Sequence, residues 1–159
     1  MLTVRIITVG TLKESYLREA VAEYKKRLGG FCRVEETCLK ESRLPEDPSG
    51  AEIAAALADE GRQILAALPP RAYKIALCVE GKQFSSEALA KKLNDASLVS
   101  SEICFVIGSS FGLSPEVKAA ADLRLSVSEL TFPHQLMRVI LYETVYRCMN
   151  ILKGTKYHK

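Results

Sequence analysis

The chain has 159 residues, 48% of them hydrophobic and 26% charged, with a formal net charge of +3. That is enough chain for one domain with a proper core, and the composition excludes a disordered, collagenous or membrane-spanning class. So small a net charge leaves no whole-molecule basicity that demands nucleic acid, but the charge is unevenly spread. Residues 131–159 hold five cations (Arg138, Arg147, Lys153, Lys156, Lys159) and one acid, Glu143. A basic end on a near-neutral body fits a phosphate-bearing partner, and it also fits cations set against a helix dipole. The five cysteines are odd in number and form no CxxC, so they read as reduced packing residues of a cytoplasmic protein. With two histidines and no Cys/His cluster, no metal is expected. No apolar signal region opens the chain and no apolar run approaches ~20 residues, so no membrane partner is expected.

In chain order, residues 2–9 read as a first strand ended by Gly10, with Thr11-x-x-Glu14 as a capping box for the helix that follows. That helix carries Leu17, Val21, Tyr24 and Leu28 on one face and stops at Gly29-Gly30. Residues 31–39 give a second strand, nearer an edge, and the polar, proline-bearing stretch 40–50 a surface loop. Ser49-x-x-Glu52 caps a second helix with Ile53, Leu57, Ile64, Leu65 and Leu68 as its apolar face, ended by Pro69-Pro70. Residues 73–79 make a third strand broken at Glu80-Gly81-Lys82, and Ser85 starts a third helix. Alternating strands and helices predict an α/β fold on a mostly parallel sheet, in one domain over 1–159.

The most telling stretch is 103–115. Ile-Cys-Phe-Val-Ile suits a strand buried on both faces, and it stops at a loop bounded by Gly108 and Gly112. Ser114-Pro115-Glu116 then gives a cap, a first-position proline and a first-turn acid. In open α/β sheets, ligands bind at such strand-to-helix turns, where glycine lets the backbone turn and approach. A short helix, a strand over 123–128 and a long last helix with Pro133 at its first position complete the chain. At ~100° per residue, Met137, Ile140, Leu141, Val145, Cys148 and Ile151 form one apolar arc of the last helix. Val139, Tyr142, Tyr146 and Met149 form a second patch, and two patches on one helix predict a homodimer seam.

Several motifs carry a resemblance: Val-Glu-Gly-Lys at 79–82, Phe-Val-Ile-Gly at 105–108, Gly-Leu-Ser-Pro at 112–115, and Ser-Glu-Leu-Thr-Phe-Pro-His-Gln-Leu-Met-Arg at 128–138. Glu143, Tyr146, Arg147 and a terminal Tyr157-His158-Lys159 follow. The whole chain resembles the bacterial RlmH family, small SPOUT-class enzymes that methylate N3 of a pseudouridine in 23S ribosomal RNA. The resemblance implies a SPOUT-type parallel sheet with a C-terminal deep trefoil knot, a homodimer, and S-adenosyl-L-methionine as methyl donor. It also implies 23S rRNA within the ribosome as partner. Carried over, the cofactor site falls on Leu77, Gly108, Val127, Ser128, Glu129, Leu130, Thr131 and Phe132. Leu77 and Phe132 would wall an adenine slot, and main-chain groups of 127–131 would read the adenine edge. The family pattern has Gly-Gly where this chain has Gly108-Ser109, which requires a negative φ at Ser109.

The resemblance makes Tyr157 and His158 the catalytic residues, with the tail lying over its own or a partner's cofactor mouth and His158 taking the N3 proton. His134 is a rival base, although a capping or packing role suits its place at a helix start. Arg138, Lys153, Lys156 and Lys159 are the RNA-binding cations. A ribosome-associated binding factor without chemistry, and a SPOUT enzyme acting on tRNA, stand as alternatives. The first would lack cofactor affinity, and the second would need an RNA-binding module that this chain does not show.

Overall fold

A computed structural model describes residues 1–159. Its elements are β1 (Thr3–Val9), α1 (Ser15–Leu28), β2 (Arg33–Leu39), α2 (Gly50–Ala67), β3 (Tyr73–Lys82), α3 (Ser86–Val99), β4 (Glu102–Ile107), α4 (Pro115–Ala120), β5 (Leu123–Leu125) and α5 (His134–Lys153). The five strands form one sheet in the order β2-β1-β4-β3-β5, and every pairing is parallel.

The apolar runs are continuous because each central strand is covered twice. Val4 and Ile6 of β1, Ile75 and Leu77 of β3, and Ile103, Phe105 and Ile107 of β4 pack with α1, α3 and α5 in one core. The intervening residues, Ile7, Val9, Ala76, Cys104 and Val106, pack with Ile64 of α2 and Val117 of α4 in the other. Alternation along a strand thus separates two cores instead of separating core from water. Burial pushes the Cys104 and Cys148 thiols up to about 12 and Cys32 to about 11, so these sulfurs serve as packing atoms.

Several local expectations change. The box at Thr11 does not form: α1 starts at Ser15 with Glu14 as an N-cap that makes no side-chain bond. The entry segment is held instead by Arg18, whose guanidinium donates to the Leu12 and Lys13 carbonyls. The box at Ser49 does form, with both reciprocal bonds. The loop after β2 is pinned to α2, since Ser42 N–H donates to Glu60 and Gln63 donates to the Lys40 carbonyl. Helix α2 buries Ala56, Glu60, Gly61 and Ile64, while Leu65 stays exposed. A Cβ on Gly61 would stand 2.5 Å from Ser114 Oγ, so close approach to the α4 cap selects the small-residue side over the leucine stripe.

The second patch of α5 is satisfied within the chain. Tyr142 and Met149 are buried, and Tyr146 stacks edge-on against Phe31 and lies 6.0 Å from the Tyr24 ring. Helix α5 lies between α1 and α3, so each apolar patch faces a neighbour, and the second is no longer an argument for a dimer seam. Arg138, expected to face RNA, is 5% exposed and donates to the Val9 and Gly10 carbonyls at 2.7 and 2.6 Å. Its guanidinium closes the end of β1 and is not a surface cation.

Beside it, Tyr142 donates to Glu36 of β2, which also accepts from Lys25 of α1. Burial pushes the Glu36 carboxyl up, but the bonds from Lys25 and Tyr142 outweigh it and hold the group below its ordinary value. A lowered folded pKa means that this carboxylate stabilises the fold above about pH 4.3 and loses that effect as pH falls through the lowered value. The stability gap between wild type and Tyr142→Phe, read as a urea midpoint, should therefore be full near neutrality and close in acid. A gap constant from about pH 7 to about pH 3 would refute the pairing.

Strand β3 runs on through Gly81 because its end pairs with β5 across a register shift between Leu77 and Lys82, and Ser126 N–H donates to the Lys82 carbonyl. A Cβ at Gly81 would meet Leu125 C at 2.6 Å, Ser126 N at 2.7 Å and Arg124 C at 2.8 Å, all of them backbone. Gly81→Ala should cost about 1–3 kcal/mol, the usual penalty of overpacking. An unchanged thermal midpoint would show that the strands part freely there.

Candidate functional site

The carboxyl ends of β3, β4 and β5 open onto a cavity of about 700 Å³. This is within the ~300–1,000 Å³ usual for small-molecule sites. Its walls come from four stretches: 77–80 at the end of β3, 107–113 after β4, 125–128 after β5, and 130–134 leading into α5. Lys118 of α4 and Met137 of α5 complete it.

The turn after β4 fixes the floor. Gly112 N–H donates to the Ser109 carbonyl at 2.9 Å, and Gly112 has φ +89°, which favours glycine. A Cβ on Gly108 would stand 2.1 Å from the Gly112 carbonyl oxygen, so the turn's own closure demands that glycine. Ser109 has no positive φ and therefore fits without strain. Its hydroxyl donates to Glu60, a carboxylate only 3% exposed, at 2.8 Å. Ser110 and Phe111 occupy the tip, and Phe111 is 45% exposed at the rim.

The opposite wall is a segment that holds itself open. Ser126 Oγ donates to the Ser128 carbonyl at 3.2 Å, and Ser128 Oγ accepts from Leu130 N–H at 3.0 Å. The other main-chain N–H groups from 127 to 132 make no hydrogen bond within the chain. Unpartnered donors beside apolar walls such as Leu77 and Phe132 are what a heteroaromatic ring with edge acceptors would satisfy. Leu77, Gly108, Val127, Ser128, Leu130, Thr131 and Phe132 all line this space, whereas Glu129 is exposed outside it. His134, the first residue of α5, also lines it, and burial lowers its pKa from the ordinary value.

Two charged side chains on the wall have no precedent in the expected set. Glu80, past the buried part of β3, meets Lys118 at 2.5 Å. No spacing rule could pair residues so far apart, although the Ser114-Pro115 start of α4 sets Lys118 one turn into that helix.

The terminal residues lie elsewhere. Helix α5 ends at Gly154 with φ +68°, and the chain folds back along the helix. The Tyr157 ring lies 4.7 Å from that of Tyr146, and its hydroxyl donates to Glu143 at 3.1 Å. Burial and that acceptor push the phenol up to about 12, so it stays protonated near neutrality. His158 Nδ1 faces Arg147 at 3.1 Å and its Nε2 faces Glu87 of α3 at 2.8 Å. With the proton on Nε2, Nδ1 accepts from Arg147 and Nε2–H donates to Glu87, and both contacts are satisfied. Neither Tyr157 nor His158 lines the cavity of its own chain. Lys153, Lys156 and Lys159 are exposed. No three His, Cys, Asp or Glu side chains are grouped to hold a metal ion, and no helix is long and apolar enough to cross a membrane.

Comparison with known proteins gives one consistent family. A family model described as predicted SPOUT methyltransferase matches residues 2–158. A relative from Streptococcus thermophilus (strain CNRZ 1066), named ribosomal RNA large subunit methyltransferase H, is 52% identical over 157 residues, covering 98% of this chain and 99% of its own. Relatives of the same name are 45% identical in Leuconostoc mesenteroides, over 99% of this chain and 100% of theirs, and 44% in Clostridioides difficile (strain 630), with the same coverage. Among solved structures, a probable methylase family protein from Haemophilus influenzae Rd KW20 superposes with a TM-score of 0.55 at 14% identity, covering 98% of this chain and 70% of that one, a likeness of fold alone. The chain is thus an enzyme of methyl transfer that belongs to the SPOUT methyltransferase family, within its ribosomal RNA large subunit methyltransferase H group.

Proposed function

We propose that the protein transfers a methyl group from S-adenosyl-L-methionine to N3 of a pseudouridine in 23S rRNA, on the assembled ribosome and in the cytoplasm. The observation that carries this reading is the cavity at the carboxyl ends of β3 and β4, with its unpartnered main-chain donors over 127–132. The relatives named for large-subunit rRNA methylation, matched from end to end, support the substrate class.

The donor, when bound, supplies a methyl group already activated on a sulfonium, so the protein has only to align the reacting atoms and exclude water. Leu77 and Phe132 offer apolar walls for the adenine, the N–H groups around Val127 and Thr131 meet its edge, and the 108–112 turn closes the floor. The N3 proton needs an acceptor. His158, released from Arg147, takes it through Nδ1, while Tyr157, kept as a phenol and released from Glu143, stacks on the base and donates. Because both lie away from the cavity of their own chain, the tail serves the cavity of a second copy in a homodimer. Exposed Leu130 and Phe111 on the cavity lining suit such a contact. Lys153, Lys156 and Lys159 meet rRNA phosphates, whereas Arg138 is committed to β1.

Two finer elements belong to the same reading. The chain forms one domain over 1–159, supported by two cores that share a single sheet. Its C-terminal part is threaded as a deep trefoil knot. The path from the β5 edge, across the ends of β3 and β4 and back between α1 and α3, supports that threading.

Mass mapping of 23S rRNA from cells with and without the gene should show one N3-methylpseudouridine lost on deletion, and an unchanged map would refute the substrate. Gly108→Val should destroy the cofactor floor, and deletion of 157–159 should cut ribosome methylation about 10²–10⁴-fold, the usual weight of a general base. Each homodimer is then inactive. A mixed dimer of the two regains activity, because one cavity keeps both an intact turn and the partner's intact tail. Failure to regain it would assign the tail to its own chain.

A further inference from the structure

We propose that Lys118 and Glu80 form the subsite for the amino-acid end of the methyl donor, Lys118 taking its carboxylate and Glu80 its ammonium. The inference rests on reading the cavity as an S-adenosyl-L-methionine site, and it adds two residues to those the family resemblance places there, Lys118 outside every motif and Glu80 within the 79–82 stretch but without an assigned role.

The lining is otherwise neutral. Apart from Glu80 and Lys118, the only titratable side chains on it are Cys78 and His134, and burial works against the charged form of both. The two charges come from separate elements, Glu80 from the end of β3 and Lys118 from α4, and meet at 2.5 Å. Lys118, through its hydrogen bond, holds the Glu80 carboxyl below the usual carboxylate range, so Glu80 offers a carboxylate near neutrality. A half-exposed ion pair of this kind adds little to the stability of a fold. It does match a ligand that ends in opposite charges. The ammonium of Lys118 has three N–H donors and the carboxylate of Glu80 two oxygens, and their contact uses one of each. The remaining donors and acceptor can take a carboxylate and an ammonium side by side, so that charges alternate around the group. An α-amino acid presents those two groups on one carbon, and S-adenosyl-L-methionine carries one at the end remote from its adenine.

The test is calorimetric titration of the full-length protein with S-adenosylmethionine, S-adenosylhomocysteine and 5′-methylthioadenosine, which keeps the adenosine and sulfur but has no amino acid. Lys118→Ala should weaken the first two by about tenfold or more, the weight of a hydrogen bond to a charged group, and leave the third unchanged. The double exchange Glu80→Lys with Lys118→Glu rebuilds the ion pair in reverse. It should keep the wild-type thermal midpoint while S-adenosylmethionine stays weak. The proposal is overturned if these variants bind S-adenosylmethionine as wild type does, or if they lose 5′-methylthioadenosine to the same extent, since the pair would then merely shape the cavity. If the wild type binds none of the three, the cofactor reading fails first and this inference with it.

Discussion

The contact on which the site depends is the one between the α-carbon of Gly108 and the carbonyl of Gly112. β4 is the central strand, covered on both faces, and its last residue, Ile107, is still in the core. The chain must therefore leave a packed interior and turn within seven residues to start α4. Only a residue without a Cβ lets Gly112 come so close. From that one contact follow the position of the Ser109 hydroxyl on buried Glu60, the exposed tip at Phe111 and the entry of Ser114 as the cap of α4. The floor of the cavity is thus anchored to the core through α2 as well as through the sheet.

Around the other strand ends, charge is used to close the fold. Arg138 spends its donors on carbonyls at the end of β1, with its Nε left without a partner, and Glu36 collects Lys25 and Tyr142. These groups lie between α1, β2 and α5, so polar bonds and aromatic stacking tie the last helix to the first strand pair. The cavity is lined by residues from the start of that helix, among them His134 and Met137. Loosening α5 at Tyr142 would act on the cavity wall through the helix itself.

Periodicity and turn chemistry in the sequence carried most of the architecture. The five strands, their parallel character and the caps at Ser49, Ser85 and Ser114 follow from short-range rules. What these rules could not carry was partnership at long range. Arg138 looks like a surface cation on a helical wheel, and only the arrival of Val9 and Gly10 from the far end of the chain makes it a buried one. The second patch of α5 looks unpartnered until α1 is laid against it. On α2 the leucine stripe is the stronger hydrophobic signal, but Gly61 permits a closer approach on another side. Of the residues the resemblance carried over as a cofactor site, all but Glu129 line the cavity, while neither the pairing of Glu80 with Lys118 nor the tail's contacts with Glu143, Arg147 and Glu87 could be read from the motifs.

The strand order also sets the tempo of folding. β1, α1 and β2 make a compact unit that can assemble as soon as it is synthesised, pairing Thr3 with Arg33 and Val9 with Leu39. The other edge of β1 waits for β4, where Thr3 pairs with Glu102 and Val4 with Ile103. Until then Val4, Ile6, Ile7 and Val9 line a bare parallel edge that offers its main-chain groups to any extended chain nearby. Loop closure over such a separation is slow. A nascent chain that stalls before β4 therefore exposes its most aggregation-prone surface, and chaperone demand during translation should peak in that interval.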